Sequence, residues 1–75
     1  NFKVQLGAFS SLENAKKFII QINNQTFSND LLVVENDKKM NFYRIHSIKS
    51  YSKADAKKVC EIFINNSYNC ILFKI

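Results

Sequence analysis

The two halves of this 75-residue chain repeat one another at a constant spacing. Ala15-Lys16-Lys17 recurs 41 positions later as Ala56-Lys57-Lys58, and the same shift relates Phe27 to Tyr68. Each half places a helical apolar stripe between two short strand patterns, so the repeating unit is strand–helix–strand. One unit cannot cover its own sheet, whereas two units can share a four-stranded sheet with both helices on one face. The repeat therefore predicts an α+β fold with the order βαββαβ, an antiparallel sheet and the first and third strands in its centre.

Hydrophobic periodicity predicts the individual elements. Two helices are expected, one with the stripe Ala15, Phe18, Ile19 and Ile22, the other with Ala56, Val59, Cys60 and Phe63. Ser10-x-x-Glu13 has the form of a capping box before the first helix, and Ser52 precedes the second. The predicted bounds are helices at 12–23 and 53–65 and strands at 2–8, 31–35, 42–48 and 69–74, with a hairpin turn at 36–39.

The first strand sets the two faces of the sheet. Val4 and Leu6 alternate with Lys3 and Gln5, which is the pattern of a strand with one buried face. Gly7 is the only glycine of the chain, so we expect it at a bend or a close approach that a side chain would block. The open face of this strand is therefore expected to carry Lys3, Gln5 and Gly7.

The same alternation assigns the third and last strands. Tyr43 and Ile45 would face the core, which leaves Phe42, Arg44 and His46 on the open face. If Cys70 and Leu72 point inward, Ile71 and Phe73 join that face; the position of Lys74 favours the reverse. The sequence leaves this choice open, and His46 is interpreted as a residue at the surface.

Composition excludes several classes of protein. With 47% hydrophobic residues the chain is globular, and without proline or a glycine cluster it has no phosphate-binding loop. No apolar run reaches the roughly 18 residues of a membrane span. No nucleophile–base pair, carboxylate dyad or metal-ligand cluster stands out, so we expect no catalytic residue, no metal and no cofactor. The net charge of +5 suggests an anionic partner or simply a soluble basic surface.

Val4-Gln5-Leu6-Gly7-Ala8-Phe9 and several later segments resemble motifs of the SPOR domain family of bacterial envelope proteins. Val4-Gln5-Leu6-Gly7-Ala8-Phe9-Ser10-Ser11, with Asn14-Ala15 after it, is similar to the opening motif of the family. Tyr43-Arg44-Ile45 is similar to its third strand and Ser52-x-x-Asp55-Ala56 to its second helix start. Tyr68-Asn69-Cys70-Ile71 resembles the last strand of division-protein members, so the resemblance covers essentially the whole chain.

The resemblance implies a non-catalytic module that binds septal peptidoglycan, preferring glycan strands stripped of stem peptides by amidases. It also implies a location on the periplasmic side of the bacterial cell envelope, in the septal region. Carried over by motif, the glycan-contacting positions are Gln5, Ala8, Phe42 and Ile71. Because the chain begins in a strand pattern without methionine, we expect one domain, residues 1–75, from a longer protein that supplies any membrane anchor.

The chemistry of these side chains fits such a ligand. Gln5 can donate to and accept from an acetamido group, and Phe42 can lie against the apolar face of a sugar. Arg44 offers a planar fork for the lactyl carboxylate that amidase cleavage releases, and Lys3 a second positive charge. His46 completes the candidate set. We hypothesise that a basic open face itself favours stripped strands.

The two cysteines allow two interpretations. Cys60 lies on the helical stripe and reads as a small buried apolar residue. A Cys60–Cys70 disulfide would require an oxidising compartment and Cα atoms within about 7 Å. In some division-protein SPOR domains the last-strand cysteine pairs with one in the first strand, and that position is Leu6 here.

Two other functions remain open from the sequence. The RNA-recognition motif shares the βαββαβ (RNP or ferredoxin-like) topology, but it stacks bases on first- and third-strand aromatics, and here the first strand offers none on its open face. A protein–protein interaction module could use the same open sheet. The favoured expectation is a monomer that binds peptidoglycan and no nucleic acid.

Overall fold

The computed structural model describes residues 1–24 and 32–75 and has the predicted order of elements. The elements are β1 (Phe2–Phe9), α1 (Leu12–Asn23), β2 (Leu32–Asp37), β3 (Phe42–Ser47), α2 (Lys53–Asn65) and β4 (Ile71–Lys74). Both helices have the predicted bounds. β2 extends two residues beyond its predicted end at Glu35, and β4 begins two residues after its predicted start at Asn69. The predicted repeat position of Phe27 and the predicted strand start at Leu31 lie outside the described residues.

Equivalent serines begin the two helices. The Ser11 hydroxyl accepts the Asn14 N–H at 3.3 Å, and the Ser52 hydroxyl accepts the Asp55 N–H at 3.2 Å. The expected capping box from Ser10 is therefore wrong, because the helix begins one residue later than that box requires. A serine cap satisfies one of the amide groups that the first helical turn leaves without a partner.

The four strands form one antiparallel sheet in the order β2-β3-β1-β4, so β1 and β3 are central as predicted. A β-bulge interrupts the β1–β3 pairing: Gln5 pairs with His46, and Gly7 pairs with the next residue, Ile45. Leu6 is the extra residue. The bulge places Gly7 opposite a core residue, so the prediction that Gly7 lies on the open face is wrong.

Both helices cover the same side of the sheet. In one cluster Ala15 and Ile22 of α1 and Phe63 of α2 are buried against Leu6 and Ile45. In a second cluster, Ala56 and Cys60 of α2 are buried against Val4. Burying each large apolar side chain stabilises the fold by ~1.5–3 kcal/mol. No helix within the described ranges is long and apolar enough to cross a membrane.

The two cysteines form a disulfide that ties α2 to the residue preceding β4. The Cα atoms of Cys60 and Cys70 lie 5.3 Å apart, within the range that a disulfide spans. Cys60 is also buried, as its place on the apolar stripe predicts. Cys70 contacts both core clusters, so the bond fixes the start of β4 at the place where the clusters meet.

Ser47, the last residue of β3, is fully buried and joins β1 to the following loop. Its hydroxyl accepts the Val4 N–H at 3.2 Å and donates to the Lys49 carbonyl at 2.9 Å. Two backbone hydrogen bonds between Phe2 and Tyr51, of 2.8 and 2.7 Å, hold the same loop against β1. This connection fixes the path of the chain from the sheet into α2.

Candidate functional site

The side of the sheet opposite the helices carries no element of the described chain, and we call it the open face. Strand pairing and alternation assign its side chains. They are Lys3, Gln5 and Ala8 of β1, Val33, Glu35 and Asp37 of β2, Phe42, Arg44 and His46 of β3, and Ile71 and Phe73 of β4. The structure thus brings all seven predicted candidate residues onto one face.

Gln5 lies at the centre of this face. Its cross-strand neighbours are Ile71 on β4 and His46 on β3, and Val33 of β2 continues the row. Directly opposed side chains in an antiparallel pair have Cβ atoms about 4.5–5.5 Å apart, so the row is continuous. Ile71 is 56% exposed, which resolves the orientation of β4 in favour of Ile71 and Phe73 on the open face.

The bulge brings Ala8 to the open face. Because Leu6 is extra, Ala8 pairs with Arg44, and Glu35 lies on the other side of Arg44. A regular strand would have pointed Ala8 into the core. Gly7 suits the bulge, since a Cβ at that position would lie 3.2 Å from the ring of Phe9.

Two phenylalanines lie at opposite ends of the open face. Phe42 is 39% exposed and pairs with Asp37 beside the hairpin turn. Phe73 is half-buried, pairs with Lys3 and meets the ring of His46 edge-to-face at 5.8 Å between centroids. Phe42 is therefore exposed on the face to which strand alternation assigns it, and Phe73 adds a second aromatic ring to that face.

His46 is buried, so its interpretation as a surface residue is wrong. Only 6% of its side chain is exposed, and its Nδ1 lies 2.9 Å from the Ser47 carbonyl. A carbonyl can only accept, so Nδ1 carries the proton of that hydrogen bond. Nε2 lies 3.3 Å from a Glu35 carboxylate oxygen without the geometry of a hydrogen bond. Phe73 and Glu35 cover the imidazole, so His46 supports the side chains of the open face and exposes little surface of its own.

The charges of the open face largely cancel, so the expectation of a predominantly basic face is wrong. Arg44 Nη2 lies 2.8 Å from Asp37 Oδ2, and Glu35 approaches His46. Lys3 and Arg44 are balanced by Glu35 and Asp37. Most of the excess positive charge lies instead on the helices and loops, at Lys16, Lys17, Lys38, Lys39, Lys49, Lys53, Lys57 and Lys58.

A notch opens into the face between β1 and β4. β4 begins at Ile71 and pairs with β1 only as far as Gln5, whereas β1 continues to Phe9. The notch has a volume of about 160 Å³ and is lined by Gln5, Leu6, Gly7, Asn69, Cys70 and Ile71. In this notch the amide of Gln5 lies beside the apolar side chain of Ile71, next to the Cys60–Cys70 disulfide.

Two acidic members of the face were not predicted. The predicted strand 31–35 ends at Glu35 and the predicted turn 36–39 contains Asp37, so neither side chain is assigned to the open face from the sequence. The alternation that begins at Val33 would have found both, had the hairpin been extended by two residues. Within residues 1–24 and 32–75 no group of three or more His, Cys, Asp or Glu side chains could hold a metal ion.

Comparisons with known proteins agree with this architecture. The family model of the SPOR domain matches residues 1–74. The solved structure of the RlpA SPOR domain from Pseudomonas aeruginosa is similar, with a TM-score of 0.75 over 100% of both chains and 12% sequence identity. At that identity the likeness shows the fold alone. No curated protein matches the chain.

Proposed function

The chain belongs to the SPOR domain family, a family of non-catalytic peptidoglycan-binding modules of the bacterial envelope, and we propose that its open face binds glycan strands that lack stem peptides. In this role the module would lie on the periplasmic side of the envelope, at the septum, as one domain of a longer protein. The observation that carries it is the open face itself: a sheet surface that no element of the described chain covers, with an amide at its centre and apolar side chains around it.

Gln5 supplies the polar recognition. An acetamido group of a glycan offers one carbonyl and one N–H, and the carboxamide of Gln5 can pair with both at once. Ile71 lies directly beside Gln5, and the notch between them admits a small substituent. Such a mixture of an apolar wall and few polar groups is typical of sites for small ligands.

The apolar side chains supply contact area. Phe42 and Ile71 are exposed on the same face, on opposite sides of the central strand β1. An aromatic ring provides a flat surface and loses little conformational entropy when a ligand covers it. Because Phe42 lies further along the sheet than the row of Ile71 and Gln5, a sugar chain would contact all three side chains only by running obliquely across the strands.

The shape of the face favours stripped strands on steric grounds. Within residues 1–24 and 32–75 no helix or strand covers the open face, so a chain of sugars can lie flat on it. Stem peptides attached to the lactyl groups would hold part of the strand away from the surface. Because the charge of Arg44 is balanced by Asp37, the preference for stripped over intact strands comes mainly from the shape of the face, together with Lys3.

The test is retention of the purified domain on sacculi, with and without prior amidase treatment. We expect more domain on treated sacculi, and we expect Gln5→Ala, Phe42→Ala or Ile71→Ala to reduce that retention. Ile20→Ala is the matched control for Ile71→Ala, since Ile20 is 63% exposed on α1, behind the sheet. Equal retention on both preparations, unchanged by all three substitutions, would contradict the proposal.

The RNA-binding alternative makes a different prediction. Among the described residues, β1 presents no aromatic side chain on the open face, so bases lack the paired platforms of an RNA-recognition motif. RNA affinity that falls steeply with salt would favour it instead. A dimeric elution profile, with the open face protected from exchange, would favour a protein–protein interface.

A further inference from the structure

The hairpin holds Arg44 through a carboxylate that is itself fixed. Asp37 Oδ2 lies 2.8 Å from Arg44 Nη2, while Asp37 Oδ1 accepts the backbone N–H groups of Lys39 and Met40 at 3.1 and 3.3 Å. A carboxylate with three such partners has little freedom to leave. Asp37 therefore already neutralises much of the charge that the Arg44 guanidinium could offer to a ligand carboxylate.

The second cation-capable group of β3 is equally occupied. His46 is buried, its Nδ1 is used by the Ser47 carbonyl, and its Nε2 faces Glu35. A free carboxylate on a ligand would also meet the exposed carboxylate of Glu35 on this side of the face. The β2–β3 half of the open face is therefore not expected to attract an added negative charge.

Lys3 stands apart from these pairs. Within the described residues it is the only cation of the open face without an ion pair. It lies on β1, two residues from Gln5 on the same side, and its cross-strand neighbour Phe73 is uncharged. Side chains two residues apart along a strand are about 6.5–7 Å apart, so a ligand held by Gln5 passes close to Lys3.

We propose that Lys3 is the specificity-determining residue that recognises the free lactyl carboxylate of stripped glycan, and that Arg44 braces the hairpin. This inference rests on the proposed function. Amidase hydrolysis of the lactyl amide releases the stem peptide as an amine and leaves a carboxylate on the sugar. A lysine ammonium is a compact charge on a flexible stem, so it can follow a carboxylate whose position varies along the strand.

The test compares two ligands of equal sugar number by calorimetry at low salt. One is amidase-stripped glycan, which carries lactyl carboxylates; the other is a chitooligosaccharide, which carries acetamido groups but no carboxylate. We expect Lys3→Gln to weaken binding of the stripped glycan about three- to fivefold, the scale of an exposed ion pair, and to leave chitooligosaccharide binding unchanged. The difference between the ligands should shrink as salt rises.

Lys16→Gln is the matched control, since Lys16 is exposed on α1 behind the sheet and should alter neither affinity. Equal weakening of both ligands by Lys3→Gln would overturn the inference, and so would a carboxylate-specific loss in Arg44→Gln alone. Binding of both ligands with no preference would overturn it while leaving glycan binding intact. Failure of the unaltered domain to bind either ligand or treated sacculi would instead reject the proposed function. Circular dichroism melting confirms that each variant is folded.

Discussion

Reduction of the Cys60–Cys70 disulfide should destabilise the domain without changing its fold. The bond closes a segment of sequence separation 10, from the buried stripe of α2 to the residue before β4. In the reduced protein the same side chains still fill the same space, and Cys60 remains a small apolar residue in the core. The main change is therefore in the unfolded chain, which regains the freedom that the loop removes.

The size of the effect follows from loop closure. For a closed loop of about 10 residues, the chain-entropy relation gives a loss of ~2.7 kcal/mol in the free energy of unfolding at 25 °C. For a domain of this length, each kcal/mol corresponds to a shift of about 4–8 °C in the melting temperature. We therefore expect reduction to lower the melting temperature by about 10–20 °C.

The measurement is urea unfolding of the same preparation with and without a dithiol reductant. We expect a lower midpoint after reduction, and we expect Cys60→Ala/Cys70→Ala to be insensitive to the reductant. Native β4 should persist in the reduced protein at 25 °C, seen as unchanged far-ultraviolet dichroism. Identical midpoints in both conditions, or two titratable thiols in the folded oxidised protein, would refute the reasoning.

Two further predictions concern single hydroxyl groups. Ser47→Ala should lower the free energy of unfolding by ~1–3 kcal/mol, because the Val4 N–H loses its buried acceptor; a loss below about 0.5 kcal/mol in urea unfolding would show that another acceptor replaces it. Ser11→Ala and Ser52→Ala should each lower the free energy of unfolding by ~1 kcal/mol, because each removes the acceptor of an N-terminal helical amide. Ser10→Ala is the matched control and should lower it much less. An equal loss at Ser10 would contradict the assignment of the cap.

The repeat was sufficient to predict the architecture. Ala15 and Ala56, related by the shift of 41, are both fully buried beneath the sheet, and each helix has its predicted bounds. This succeeds because a helical stripe has a regular period, and because the alternation of apolar and polar residues in the strands leaves one apolar side of the sheet for both stripes to cover. The placement of Phe42 and Arg44 on the open face followed from strand alternation in the same way.

The details that the sequence did not reveal depend on register. The bulge at Leu6 inserts one residue into β1, and no period in the sequence distinguishes an inserted residue from a regular one. The Arg44–Asp37 pair requires the β2–β3 register and a strand that continues to Asp37. The disulfide likewise depends on how closely α2 approaches the start of β4, which the spacing of Cys60 and Cys70 alone does not fix.

The distribution of charge separates the candidate ligands. A nucleic-acid strand on the open face would bring phosphates toward Glu35 and Asp37, while the exposed lysines of α1 and α2 would lie behind the sheet, out of reach. Phosphate contacts supply most of the affinity of non-specific nucleic-acid binding, so this face would forgo that contribution. A glycan strand carries mostly neutral acetamido and hydroxyl groups, so its binding does not depend on a strongly positive surface. The pairing of Arg44 with Asp37 thus costs a glycan-binding face little, whereas it would remove a principal phosphate contact from an RNA-binding one.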